Sequence, residues 1–131
     1  SGDSRAYLRR RDGSVQQLSR DHTELQRMID AGEADASTEY ASIYDALSDC
    51  LIADPHEGAF AIHRAEAELR DGDAVILCTD GIHDVLGDAT WCKLMGAFVD
   101  PLPLVQATHK AVLKAGAPDN FTLIAVGAAF R

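Results

Sequence analysis

The chain has 131 residues, a length that suits one domain with one core, and 47% of them are hydrophobic. Twelve basic against 21 acidic residues give a formal charge of −9, which argues against nucleic acid as a partner, because a phosphate backbone needs a basic face. No apolar run is long enough to cross a bilayer, no basic-then-apolar leader opens the chain, and Cys50, Cys78 and Cys92 lack any Cys-x-x-Cys spacing, so a reducing, cytoplasmic setting is expected.

Taken in order, residues 1–11 alternate apolar and polar side chains as a strand does, and Asp12-Gly13 signals a hairpin that returns over Val15 to Leu18. The opening Gly2-Asp3-Ser4-Arg5 reads as the middle of something, so a piece of a longer protein is expected. Asp21 is placed to cap a helix carrying Leu25, Met28 and Ile29 on one face, with Gly32 as its stop. Tyr40, Ile43, Tyr44, Leu47 and Leu51 fall at helical steps and predict a second helix over 38–51. A strand is expected from Ala59 to about Ala67, with Phe60, Ile62 and Ala65 inward. The run Ala74 to Cys78 between Gly72 and Gly81 reads as a buried strand ending in Thr79-Asp80-Gly81. Asp88 is placed to cap a helix reaching about Phe98, with Trp91, Leu94, Met95 and Phe98 on its apolar face. Asp100-Pro101-Leu102-Pro103 opens another, with Leu104, Val105, Thr108, Val112 and Leu113 inward and Gly116 as its end. Pro118-Asp119-Asn120 then leads into a closing strand over 121–126. Strands at both ends with helices between them give an α+β pattern with a largely antiparallel sheet.

The chemistry rests on carboxylates. Asp3, Asp80, Asp84 and Asp119 each stand near Gly, Pro or Asn at an element boundary, where several oxygens can converge. Oxygen-only donors select hard ions such as Mg²⁺ or Mn²⁺, and no His or Cys pair has zinc spacing. There is no Gly-x-Ser-x-Gly elbow and no Walker loop, so a catalyst of this composition would use metal-activated water. His83 is expected as an exposed turn residue, and Arg9-Arg10-Arg11 as a solvated turn rather than a docking site for phosphopeptides.

Three motifs agree in order and separation: Gly2-Asp3-Ser4-Arg5-Ala6-Tyr7, then Gly72-Asp73 leading to Leu77-Cys78-Thr79-Asp80-Gly81, then Pro118-Asp119-Asn120-Phe121-Thr122. Together they closely resemble the bacterial metal-dependent (type 2C, PPM) protein serine/threonine phosphatases. The resemblance covers essentially all of residues 1–131, and only the C-terminal half of that family's single catalytic domain. It implies an antiparallel β-sandwich flanked by helices, of which this is the C-terminal portion. It implies hydrolysis of phosphoserine and phosphothreonine on proteins, two or three Mn²⁺ or Mg²⁺ ions, and a cognate serine/threonine kinase. By motif position, Asp80 and Asp119 would hold the core metal pair, while Asp3 and Asp84 would join Asp80 at a third ion. The segment from about Thr23 to Asp54 would be the flap near the substrate entrance. The family's N-terminal Asp-Gly-x-Gly-Gly motif and its phosphate-gripping Arg have no counterpart here. These residues alone are therefore expected to be inactive, and to pair with the other half or self-associate. Two further readings stay open: a phosphatase-like regulatory module without catalysis, and a partner-switching phosphatase acting on a sigma-factor regulator.

Overall fold

The computed structural model describes residues 2–35, 46–48 and 62–130. It divides into two compact units, one of residues 1–3 and 20–64 and the other of 4–19 and 65–131.

The larger unit is built on one antiparallel sheet. Strand β1 (Arg5–Arg9) turns through Asp12 and Gly13 into β2 (Val15–Gln17), as the Asp-Gly pair requires. Gly13 holds φ at +87°, and Asp12 Oδ1 accepts from the Ser14 N–H at 2.9 Å. Strand β3 (Ala74–Cys78) lies on the other side of β1, with Tyr7 opposite Ile76, and β4 (Leu123–Gly127) closes the order β2-β1-β3-β4.

Between β3 and β4 the chain makes three helices: α1 (Asp80–Leu86), α2 (Asp88–Ala97) and α3 (Pro101–Lys114). They supply Ile82, Trp91, Met95, Leu104 and Val112, which pack with Tyr7, Ile76 and Cys78 in one buried cluster. Trp91 meets the Tyr7 ring edge-on at 6.3 Å between centroids. The alternation of a strand decides which side each residue serves. Ile76 is wholly buried against the helices, whereas its neighbour Leu77 points to the opposite face and is 43% exposed. Ala6, Leu8, Val75, Ile124 and Val126 share that second face by register, and Ile124 and Val126 are 50% and 59% exposed. The expected α+β antiparallel fold is therefore present. Of the two sheets the resemblance implies, the described residues form one, apolar on both sides and covered by helices on one.

The smaller unit contains a short helix (Glu24–Asp30) with no buried residue. Its N-cap is Thr23, whose hydroxyl accepts from the Gln26 N–H at 3.2 Å, not the expected Asp21. Thr23 also pairs with Leu47 in an isolated antiparallel bridge, so the helix expected over 38–51 does not include Leu47. The rest of that segment lies outside the described residues, apart from 46 and 48, and so do Phe60 and the start of the strand expected from Ala59.

Residues 62–69 are not a strand, and Ile62, expected inward, is 79% exposed. The physical reason is composition and room. Ala65, Ala67 and alternating glutamates bury little area, and β1 already has β2 and β3 on its two sides. Leu113, also expected inward, is 53% exposed on the outer side of α3.

Arg9 corrects the expectation of a solvated basic turn. It is 1% exposed, and its guanidinium donates to the carbonyls of Arg10 and Val99. Arg10 is equally committed. It donates to Asp73 Oδ2 at 2.6 Å and to the Glu68 carbonyl at 2.8 Å. Asp73 has a side chain only 3% exposed and also accepts from the Arg70 and Arg11 N–H groups, at 2.9 and 3.1 Å. Arg10 and the Arg11 N–H thus anchor the hairpin to the turn before β3, Arg9 ties it to Val99 beyond α2, and the Arg11 side chain stays exposed as expected.

Candidate functional site

Strand β3 does not run on past Cys78 because Thr79 switches the chain from extended to helical. Its φ and ψ are −84° and 167°, its N–H still donates to the Thr122 carbonyl at 3.2 Å, and its own carbonyl accepts from Ile82, the first turn of α1. Asp80 is the first residue of that helix. Its Oδ1 accepts from the Gly81 N–H at 2.8 Å, and a carboxylate at a helix N-terminus is favoured by the free N–H groups there.

Asp119 is delivered by the other end of α3. Gly116 donates to the Leu113 carbonyl and Ala117 to the Val112 carbonyl, both at 3.1 Å, the paired bonds of a Schellman ending. Gly116 and Ala117 both hold positive φ, at 98° and 43°. A non-glycine residue in that region is strained, and here it turns the chain sharply into Pro118-Asp119. Asp119 Oδ1 accepts from the Asn120 N–H at 2.7 Å. Each acid therefore braces one carboxylate oxygen on the N–H of the following residue.

The two segments touch through their backbones. A Cβ built on Gly81 would lie 2.4 Å from the Asn120 carbonyl oxygen and 3.3 Å from the Phe121 Cβ, so only glycine fits between them. The turn that carries Asp80 and the turn that carries Asp119 are thereby pressed together at one end of the sheet, where Cys78 faces Leu123 in the ladder.

Asp84 lies one helical turn beyond Asp80 on α1, with a side chain 71% exposed. His83 is 3% exposed and not the surface turn residue expected. Its Nδ1 stands 2.7 Å from Asp84 Oδ1, a close approach whose alignment falls short of a hydrogen bond. Asp3 belongs to the smaller unit, half-buried in the turn that begins at Gly2.

The donors near this rim fit a hard divalent cation in kind, being carboxylate oxygens on rigid element ends. They are too few to enclose one. Among the described residues no group of three or more His, Cys, Asp or Glu side chains stands close enough to hold a metal ion. Sequence reasoning found the acids and missed Thr79 and Asn120. The signal available was a threonine immediately before Asp80-Gly81 and another two residues after Asn120.

No protein-family model matches the chain. Two solved structures resemble it closely. The catalytic domain of the serine/threonine phosphatase PstP in complex with two manganese ions matches with a TM-score of 0.70 and 29% identity, over 98% of this chain and 51% of that one. PppA, a regulatory component of the type VI secretion system in Pseudomonas aeruginosa, matches in fold with a TM-score of 0.76 and 24% identity, over 98% of this chain and 50% of that one. The chain is homologous to the metal-dependent (PPM) protein serine/threonine phosphatases and represents a C-terminal portion of their catalytic domain.

Among curated proteins, one relative is PstP of Mycobacterium tuberculosis. The two are 33% identical over an alignment of 131 residues that takes in 94% of this chain and 23% of PstP. The chain thus spans less than a quarter of that relative, and about half of each solved domain. Among the described residues, no helix is long and apolar enough to cross a membrane.

Proposed function

We propose that residues 1–131 are the C-terminal part of a single catalytic domain that removes phosphate from phosphoserine and phosphothreonine on proteins, opposing a serine/threonine kinase. The reading rests on one observation above the others: the close backbone contact between Gly81 and Asn120. It sets two carboxylate-bearing turns, 39 positions apart in the chain, at one rim. In this reading Asp80 and Asp119 hold the core pair of Mn²⁺ or Mg²⁺ ions, and Asp84 serves with Asp80 at a third. When bound, such ions supply activation of water and neutralisation of phosphoryl charge. The chain's own contribution is to fix the direction of two carboxylates. The N–H groups of Gly81 and Asn120 each hold one oxygen, which leaves the other directed by the backbone and not by a flexible side chain.

Two acids are half a site, so the chain alone has no useful turnover. The experiment compares residues 1–131 with the full gene product on p-nitrophenyl phosphate and a phosphothreonine peptide, with Mn²⁺. The full product turns over and loses activity in Asp80→Asn and Asp119→Asn, while the chain alone is silent. A folded full product that binds a phosphoprotein without hydrolysing it would make the domain a recognition module. Turnover indifferent to Asp119→Asn would remove that residue from the site.

A further inference from the structure

Thr79 occupies the N-cap of α1, where a threonine hydroxyl ordinarily accepts from the helix's own first N–H groups. It makes no such bond. Its Oγ1 instead accepts from the Thr122 N–H at 3.0 Å, across the sheet and 43 residues away. The reason lies in the ladder. In an antiparallel hydrogen-bonded pair, two facing residues exchange both N–H···O=C bonds. Thr79 donates its half to the Thr122 carbonyl. It cannot accept the return bond on its carbonyl, which has turned into α1 and takes the Ile82 N–H at 3.1 Å. The side-chain hydroxyl stands in for that carbonyl and completes the last rung.

We infer that Thr79 is a positioning residue, a side-chain rung that locks the turn carrying Asp80 to the turn carrying Asp119 and so sets the spacing at which the two carboxylates share a divalent cation. This rests on the reading of Asp80 and Asp119 as metal ligands. Without the rung, the Thr122 N–H, two residues past Asn120, is open to water, and the two turns keep only one of the two hydrogen bonds between Thr79 and Thr122, beside the contact at Gly81. Valine keeps the shape of threonine and removes the acceptor; serine keeps the acceptor and removes a methyl.

The test is Mn²⁺ titration of the isotopically labelled full gene product, read by paramagnetic broadening of individual amide signals, with no catalysis involved. In the unsubstituted protein the Gly81 and Asn120 amides broaden together at the same Mn²⁺ concentration. In Thr79→Val, amide exchange at Thr122 quickens, and the concentration needed to broaden Asn120 rises about fivefold, the share of one neutral hydrogen bond. Thr79→Ser keeps both behaviours of the unsubstituted protein. Joint broadening unchanged in a folded Thr79→Val overturns the inference and leaves the metal-ligand reading intact. Thr79→Ser losing the joint response overturns it as well, and decides the matter if Thr79→Val does not fold. Absence of broadening at both amides in the unsubstituted full gene product removes the metal-ligand reading and the inference with it.

Discussion

Replacing Gly81 by alanine separates two effects of opposite sign at the heart of the site. Gly81 is the second residue of α1, and alanine is the better helix former by about 1 kcal/mol in a helix interior, less at an end. Propensity alone would therefore raise stability slightly. The added methyl, however, would sit 2.4 Å from the Asn120 carbonyl oxygen and 3.1 Å from its carbonyl carbon. Ordinary contacts begin near 3.4 Å, so the partner must retreat by about 1 Å. That partner is backbone held between the Asp119 turn and the Thr79–Thr122 rung, and it cannot swing away as a side-chain end would. Overpacking of this kind costs about 1–3 kcal/mol, so it outweighs the propensity gain. The net loss is about 1–2 kcal/mol, or a midpoint lower by roughly 3–10 °C for a domain of this size. Thermal unfolding followed by far-ultraviolet circular dichroism measures it, and the Asn120 amide resonance should move in the same variant. An unchanged or higher midpoint with a stationary Asn120 resonance would mean that the two turns are not pressed together as described.

Three other outcomes follow from the fold. Asp73 is held below the usual carboxylate range, chiefly by the Arg70 N–H and then by the Arg10 guanidinium and the Arg11 N–H, with burial opposing them. A lowered folded pKa gives stability that is present above the unfolded value of about 3.9 and lost as pH falls through the folded value. Asp73→Asn should therefore be less stable near neutrality and show a shallower acid limb in midpoint-against-pH curves; parallel limbs would show that the cluster contributes nothing. Burial pushes the Tyr7 phenol up to about 12, partly offset by its hydrogen bond with Arg5. Its contribution is complete below about pH 10 and disappears as pH rises through the folded value, so phenolate absorbance should show a late step that Tyr7→Phe abolishes. Finally, Ile76→Ala should cost about 2–5 kcal/mol and Leu77→Ala less than about 1.5, because the first is sealed under the helices and the second stands 43% exposed. Equal losses in denaturant titrations would mean that the second face is covered in solution.

What the sequence made legible were features whose cause is local. Asp12-Gly13 specifies its turn by backbone conformation, and β1 and β2 followed from it. The run Ala74–Cys78 is apolar and bounded by glycines, and α2 and α3 carry apolar stripes long enough to read. The misreadings share a different cause, a partner far away along the chain. Arg9 looks solvated until the Val99 carbonyl, 90 residues on, takes its guanidinium. Asp21 and Thr23 are both competent caps, and a bridge to Leu47 accompanies the choice of Thr23. His83 sits in a seven-residue helix, too short for a 3.6-residue period to show, and so passed for a turn residue.

The candidate site belongs to both kinds at once. Its acids are local signals, each beside a residue that breaks the chain direction. Its geometry is long-range: an absent Cβ at Gly81 and a hydroxyl at Thr79, neither of which carries a charge or bears on metal chemistry by composition. Acids announce themselves in a sequence, whereas the neutral residues that set the distance between acids do not. Thr79→Val and Gly81→Ala perturb that distance from its two sides, one by releasing the rung and the other by wedging the contact. If the spacing of Asp80 and Asp119 is what the fold protects, both should weaken Mn²⁺ binding while leaving every carboxylate in place.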